Sequence, residues 1–230
     1  MDSTDVLGTQ QILDADLADW RKLAQAFHGR FLTGDFGAGV RFVSAVAEVS
    51  EAAGHRPEVR LTEQSVDLKL ISRDAVYRPE DGPEVVVSYV TQRDVDLARR
   101  ISAVAKEQGI TAAPAAVTQL ELALDTADFA AIGPFWAAVL TGSTDSLRGN
   151  DVGDPTGQLP LLWFQDTEPH ETPRQRFHLD LWVPPEVAEE RIAAAVAAGG
   201  RMVDDSEAPS FTVLADPEGN KVCVCTSLDR

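Results

Sequence analysis

Apolar positions along the chain change period several times, and each change predicts an element. Leu17, Trp20, Leu23, Ala24 and Phe27 recur at helical spacing behind Asp14 or Asp16, either of which can cap a helix, and Gly29 closes the run. Arg30 to Thr33 reads as a short strand and Gly34-Asp35 as a turn. Phe36, Val40, Val43, Val46, Ala47 and Ser50 then mark the buried stripe of a second helix, running to about Ala53. From Val59 to Leu70 the period falls to two. Val59 and Leu61 alternate with Arg60 and Thr62, and Val66, Leu68 and Leu70 alternate with Asp67 and Lys69, around a Glu63-Gln64-Ser65 turn. That is a hairpin with one wet and one buried face. A polar loop over 74–84 carries Pro79, Gly82 and Pro83, and the β-branched run Val85 to Val90 predicts a further strand. Thr91 and Asp94 form a capping-box-like start for a third helix, with Leu97, Ile101, Val104 and Ala105 on one face and Gly109 at its end.

An alanine-rich stretch with a proline, Ala112 to Ala116, reads as a linker. Beyond it, Gln119 to Leu124 alternates as a strand. Asp128 caps a helix bearing Ile132, Phe135, Trp136, Val139 and Leu140, which ends at Gly142. After a loop with Gly149, Gly153, Pro155 and Gly157, Leu159 to Gln165 forms a strand, and Asp166 to Gln175 a charged connection. The pattern then repeats. Arg176 to Val183 is a strand with Phe177, Leu179, Leu181 and Val183 on one face and His178, Asp180 and Trp182 on the other. Glu186 to Ala198 is a helix stopped by Gly199-Gly200, and Phe211 to Ala215 and Lys221 to Cys225 are strands around Asp216-Pro217-Glu218-Gly219-Asn220. A strand-helix-strands unit thus occurs twice. The expected fold is α+β: a helix-flanked antiparallel sheet over 1–112, then a paired βαβββ cupped sheet over 113–230.

Charge narrows the partners. The 230 residues carry a formal net charge of -17, with 18 acidic against 13 basic residues (net -5) up to residue 112 and 19 against 7 (net -12) beyond it. Neither half has the basic footprint of a nucleic-acid binder, and an acidic surface is repelled by anionic membranes. No apolar run is long enough for a membrane span, and Met1 to Asp5 lacks the features of a signal peptide. Cys223 and Cys225 lie two apart, too constrained for an ordinary disulfide, which predicts reduced thiols and a cytoplasmic protein.

The candidate chemistry begins at Glu51-Ala52-Ala53-Gly54-His55-Arg56-Pro57, where a helix gives way to an extended segment. Imidazole titrates near neutrality, so His55 there is either a proton-transfer group or a cationic helix cap; spacing leaves both open. The neighbouring residues enlarge the pattern. Trp20, Leu23, Phe31, Asp35-Phe36, Phe42, Val46-Ala47, Glu51, His55-Arg56-Pro57, Val66-Asp67-Leu68, Ser72-Arg73-Asp74, Thr91, Asp94, Leu97-Ala98 and Ile101 together resemble pterin-4a-carbinolamine dehydratases over about residues 12–108, apart from an insertion after Asp74. That family carries Glu-x-x-x-His-His-Pro at the helix end, a third histidine two strands on and an Asp at the start of the last helix. It removes water from a 4a-hydroxy-tetrahydropterin with histidines as acid and base and no metal. The resemblance implies that Glu51, His55, Pro57 and Asp94 match, while Arg56 and Arg73 stand where the family has its second and third histidines. His55, Arg56, Arg73 and Asp94 are therefore the candidate catalytic set, with Glu51 as a ligand-binding residue. A guanidinium donates hydrogen bonds but is no general base at neutral pH, so dehydratase activity is expected to be weak or absent and the ligand pterin-like or anionic. The alternative reading turns the arginines outward into ion pairs, for instance with Glu58 or Asp74.

Residues from about 117 to 226 resemble glyoxalase-like members of the vicinal-oxygen-chelate superfamily, through Phe135-Trp136 on the helix, Arg176-Phe177-His178-Leu179-Asp180, the Ala-Ala-Gly-Gly helix end and Asp216 to Asn220. Such a resemblance fixes fold better than function, since the superfamily spans lyases, dioxygenases, isomerases and binding proteins. Its metal-dependent members place one ligand on each of four strands. The matching positions are Glu121, Trp163 or Gln165, His178 and Cys223, an incomplete oxygen and nitrogen set, so neither metal nor other cofactor is expected. Glu121, Trp163, Gln165, His178, Trp182 and Cys223 are instead expected to line a ligand-binding cup. A homo-oligomer is expected from the first resemblance.

Overall fold

A computed structural model of the chain describes residues 3–141, 143–169, 177–197, 199–215 and 221–229. The expectations for Gly142, Arg176, the Asp216 to Asn220 turn and the side chains of Phe135, Val139 and Leu140 lie outside the described residues. Two compact units result, one of residues 1–117 and the other of 118–229.

The first unit opens with a single turn-and-a-half helix, α1 (Thr9–Asp14), followed by β1 (Arg21–Leu23) and β2 (Ala26–Leu32). The helix expected over 17–27 is therefore a hairpin. Asp16 and Ala24 take positive φ (48° each), which breaks any helix through this stretch. The period-two set Phe27, Gly29 and Phe31 overrides the helical spacing of Leu17 to Phe27, because it places two phenylalanines on the face that meets the helices. Trp20 packs edge-on against Phe31, with centroids 5.6 Å apart, and its Nε1 donates to Ser102 Oγ at 3.1 Å.

Next come α2 (Phe36–Ala53), β3 (Glu58–Leu61), β4 (Ser65–Leu70), β5 (Ser72–Tyr77), β6 (Val85–Tyr89), α3 (Gln92–Glu107) and β7 (Thr111–Ala112). The main sheet runs β1-β2-β4-β3, all antiparallel, with β7 pairing β2 as well. Helices α2 and α3 contribute Phe42, Val46, Leu97 and Ile101 to the core that Phe27, Phe31, Val66, Leu68 and Leu70 supply from the sheet. Burying each such side chain contributes about 1.5 to 3 kcal/mol.

Helix α2 occupies the expected residues but faces differently. Gly39, Phe42, Val46 and Ser50 are buried, whereas Phe36 and Val40 are 55% and 44% exposed and Ala47 is also exposed. Gly39 explains the rotation. A Cβ there would lie 2.5 Å from Leu61 Cδ1, so the helix sits against the sheet on its side-chain-free edge. The 74–84 loop is shorter than expected, because β5 continues to Tyr77 and pairs β6 in a separate two-stranded sheet. The stretch read as a linker is fastened to this unit, since Phe31 pairs Ala112 and Ala113 N donates to Arg30 O.

On the other sheet face, His28 sits between Arg21 and Lys69 in register. Its Nε2 is buried and makes no hydrogen bond. Burial, then the Lys69 and Lys22 ammonium groups, push its pKa down to about 4.

The second unit holds β8 (Gln119–Thr126), α4 (Phe129–Thr141), β9 (Leu147–Arg148), β10 (Asp151–Val152), β11 (Leu162–Asp166), β12 (Phe177–Trp182), α5 (Pro185–Ala197), β13 (Arg201–Asp204), β14 (Phe211–Ala215) and β15 (Lys221–Cys225). These are two βαβββ modules in one eight-stranded sheet of order β13-β14-β15-β12-β8-β11-β10-β9. The first strands of the two modules, β8 and β12, meet antiparallel over six residues. One sheet face packs on the helices through Leu122, Leu124, Leu162 and Phe164 with Ile132 and Trp136, and through Leu181, Leu214 and Val224 with Ala188 and Ile192. Strand alternation puts Glu121, Ala123, Asp125, Trp163, Gln165, His178, Asp180, Trp182 and Cys223 on the opposite face.

Candidate functional site

In the first unit the site is built at a helix end. Gly54 takes φ 64°, and its N–H returns to Glu51 O while the His55 N–H returns to Ser50 O at 3.2 Å. This six-to-one closure fixes where His55 leaves α2, so the backbone caps the helix and the side chain is released for other work. The imidazole turns inward. Its Nε2 lies 2.7 Å from Asp94 Oδ1, with the His55 side chain 12% exposed and that of Asp94 fully buried.

Asp94 is the third residue of α3. Its Oδ2 accepts from Thr91 N at 2.8 Å, from Ser72 Oγ at 2.7 Å and from Thr91 Oγ1 at 3.1 Å, and the two hydroxyls lie 2.9 Å apart. A carboxylate that caps its own helix thus also orients the histidine. An ionised carboxylate only accepts, so neutral His55 carries its proton on Nε2 and keeps Nδ1 as the accepting nitrogen.

The other candidates face solvent. Arg56 forms a two-pronged pair with Glu51, Nε to Oε1 and Nη2 to Oε2 both at 2.8 Å, with both side chains more than 60% exposed. The guanidinium hydrogen bond, then its charge, holds the Glu51 carboxyl below its usual range. Arg73 Nη2 donates to Glu58 Oε1 at 3.0 Å. Arg93 grips Asp74 through both Nη atoms, and this hydrogen bonding, with smaller contributions from the Arg93 and His55 charges, lowers the Asp74 pKa. The structure therefore brings His55 and Asp94 together and sets Arg56 and Arg73 in surface ion pairs. Ser72, Thr91, Asp74 and Arg93 complete the arrangement. The only sequence signal for Ser72 was its place beside Arg73.

In the second unit all six expected ligand-binding residues share the face opposite the helices. Register aligns Cys223, Asp180 and Glu121 in one row and His178, Ala123 and Trp163 in the next. Contacts run diagonally between rows. Trp182 Nε1 donates to Glu121 Oε2 at 3.0 Å, and His178 Nε2 lies 2.7 Å from Asp125 Oδ1. Gln165 is half-buried and donates to its neighbour's carbonyl, Asp166 O. Asp125 and Asp180 are the residues that sequence reasoning left out. The alternation Glu121-x-Ala123-x-Asp125 was the available signal. These donors do not fit a metal. Among the described residues no three His, Cys, Asp or Glu side chains are placed to hold one, and Glu121 and His178 are turned toward Trp182 and Asp125 instead. Cys223 is half-buried and Cys225 buried, and neither is in a disulfide.

Family comparison agrees with this division. The family model described as pterin 4 alpha carbinolamine dehydratase matches residues 7–104, and the glyoxalase-like domain matches 121–225. Proteins named as pterin-4-alpha-carbinolamine dehydratases in Nocardia farcinica and Rhodopseudomonas palustris are 30% and 33% identical over 45% and 44% of this chain, and over 99% and 89% of their own lengths. A solved transcriptional coactivator/pterin dehydratase from Brucella melitensis is 26% identical, with a TM-score of 0.36, over 44% of this chain and 99% of its own. The chain belongs to the pterin-4-alpha-carbinolamine dehydratase family through its first unit, and joins to it a glyoxalase-like domain.

Proposed function

We propose that the first unit binds a small pterin-like or anionic metabolite beside His55 and dehydrates pterin carbinolamines weakly or not at all. One observation carries this reading. The two positions matching the family's remaining histidines are guanidiniums, each already paired to a surface carboxylate. Dehydration needs one group to protonate the departing hydroxyl and another to take a proton from the ring. His55 with Asp94 supplies one such group, and an arginine cannot supply the second as a base. An anionic ligand, however, would exchange with Glu51 or Glu58 as the partner of Arg56 or Arg73. Solvent-exposed pairs of this kind are screened and contribute little to stability, so the exchange costs little.

The double variant Arg56→His, Arg73→His is expected to raise the rate of 4a-hydroxytetrahydropterin dehydration about tenfold or more. A wild-type protein that is already fast, and is unchanged by the double substitution, contradicts the reading.

The protein is further proposed to be a cytoplasmic homo-oligomer. Cys223 and Cys225, neither in a disulfide, suit a reducing compartment. Phe36 and Val40 leave an apolar patch on α2 that self-association would cover. Sedimentation equilibrium is expected to return a multiple of the 24.8 kDa chain mass, and Phe36→Ser with Val40→Ser to shift it toward the monomer. A monomer at micromolar concentration in the unsubstituted protein removes the oligomer.

A further inference from the structure

The second unit carries a histidine that neither packing nor metal binding accounts for. A histidine serving only to pack is buried with its nitrogens paired. The His178 side chain is 36% exposed, and no hydrogen bond engages its Nδ1 among the described residues. A metal-binding histidine shares its ion with other donors. Here Glu121 Oε2 accepts from Trp182, and no triad of donors surrounds the ring among the described residues. What the ring does have is a carboxylate. Asp125, its side chain 11% exposed, places Oδ1 2.7 Å from His178 Nε2.

This arrangement is set by the sheet. His178 opposes Ala123 across the β8–β12 ladder, and Asp125 is the next residue along β8 on the same face. Two adjacent antiparallel strands hold the pair, so its spacing is a property of the central ladder. The Trp182 to Glu121 bond repeats the same diagonal two same-face positions along. Trp163 lies in the His178 row on β11, beyond the small Ala123, and adds an aromatic side chain to the face.

We propose that His178, lying against the Asp125 carboxylate, is a metal-independent proton acceptor for a small, flat ligand bearing an acidic C–H or O–H, bound on the face of the second unit's sheet opposite its helices. Nε2 lies 2.7 Å from the carboxylate oxygen, off the line of a hydrogen bond, and the carboxylate's charge favours the tautomer with its proton on Nε2, which leaves Nδ1 with the lone pair. Nδ1 takes the proton from the ligand, and the bonding electron pair stays on the ligand as an enolate, alkoxide or phenolate. The imidazolium so formed is balanced by the charge of Asp125, which lies 2.7 Å from Nε2 and does not take the proton. The ring then returns its proton to the product or to water. His178 is the catalytic residue and Asp125 a positioning residue. Neither takes part in the site of the first unit.

The test uses 5-nitrobenzisoxazole, a flat carbon acid. A base takes its C3 proton, the N–O bond breaks with its electron pair going to oxygen, and a coloured cyanophenolate forms. The full chain in excess chelator is expected to open the ring faster than buffer. His178→Ala is expected to remove about nine-tenths or more of that protein-dependent rate, with His28 and His55 still present as internal controls. Asp125→Asn is expected to lower kcat severalfold at unchanged KM, and Asp125→Glu to restore part of it. Circular dichroism confirms that each variant is folded. Ring opening no faster than buffer, a rate indifferent to His178→Ala, or a rate that appears only with added Zn2+ each overturns the proposal.

Discussion

Replacing Asp94 by alanine is expected to cost the first unit about 4 kcal/mol and to free the His55 ring from its present orientation. The carboxylate is completely buried and receives Thr91 N, Ser72 Oγ, Thr91 Oγ1 and His55 Nε2. Hydrogen bonds to a charged group contribute about 1.5 to 3 kcal/mol each, and removing the acceptor strands donors that water does not reach. Loss of the cap on α3 adds to this, at about 1 kcal/mol. The contributions do not sum, because Ser72 and Thr91 still hold each other. Asn at the same position keeps the volume and one acceptor oxygen, but turns an NH2 toward groups that are themselves donors, so about half the loss is expected. Hydrogen exchange of the α3 and β4 amides in the full chain reads the first unit separately from the second. Protection lowered by less than about 1 kcal/mol in Asp94→Ala would show that water replaces the carboxylate, and the network would then be incidental.

Lowering the pH from 7 to 5 is expected to cost the first unit about 2 kcal/mol through His28 alone. Its folded-state pKa is about 4, against 6.5 for an unperturbed histidine. Between those values the unfolded chain binds a proton that the folded chain refuses. Stability therefore falls as the pH drops through 6.5, and the loss is complete near pH 4. The cause is local: the ring is largely buried and faces the Lys69 and Lys22 ammonium groups. A neutral residue of similar size removes the linkage, so His28→Gln is expected to flatten the stability-against-pH curve of the first unit over this window. A curve of unchanged slope in His28→Gln would mean that the ring is solvated in the folded protein.

What the sequence made legible was local. Thr91 and Asp94 lie three residues apart, and their capping box formed as expected. The β3–β4 hairpin and the double βαβββ pattern rest on alternation over short runs, and both are present. The Leu17 to Phe27 stretch misled because its apolar residues fit two periods at once, and the packing of Phe27 and Phe31 against α2 and α3 decided between them. The face of α2 depended on Gly39, which hydrophobic counting treats as silent. Distance in sequence set the limit at the sites. His55 and Asp94 are 39 residues apart, and only the family resemblance joined them. No resemblance pointed to Asp125, and its contact with His178 follows from a ladder register that spacing does not give.

Strand β5 divides two kinds of constraint between neighbouring residues. Ser72 points into the protein and is held by Asp94 and Thr91, whereas Arg73, one residue on, points outward to a surface carboxylate. A substitution at 72 disturbs the buried Asp94 network and is therefore a change to the fold. A substitution at 73 breaks only an exposed pair with Glu58 and leaves the fold as it is. Two adjacent residues thus separate cleanly, one answering to stability and the other to the chemistry of the surface beside His55.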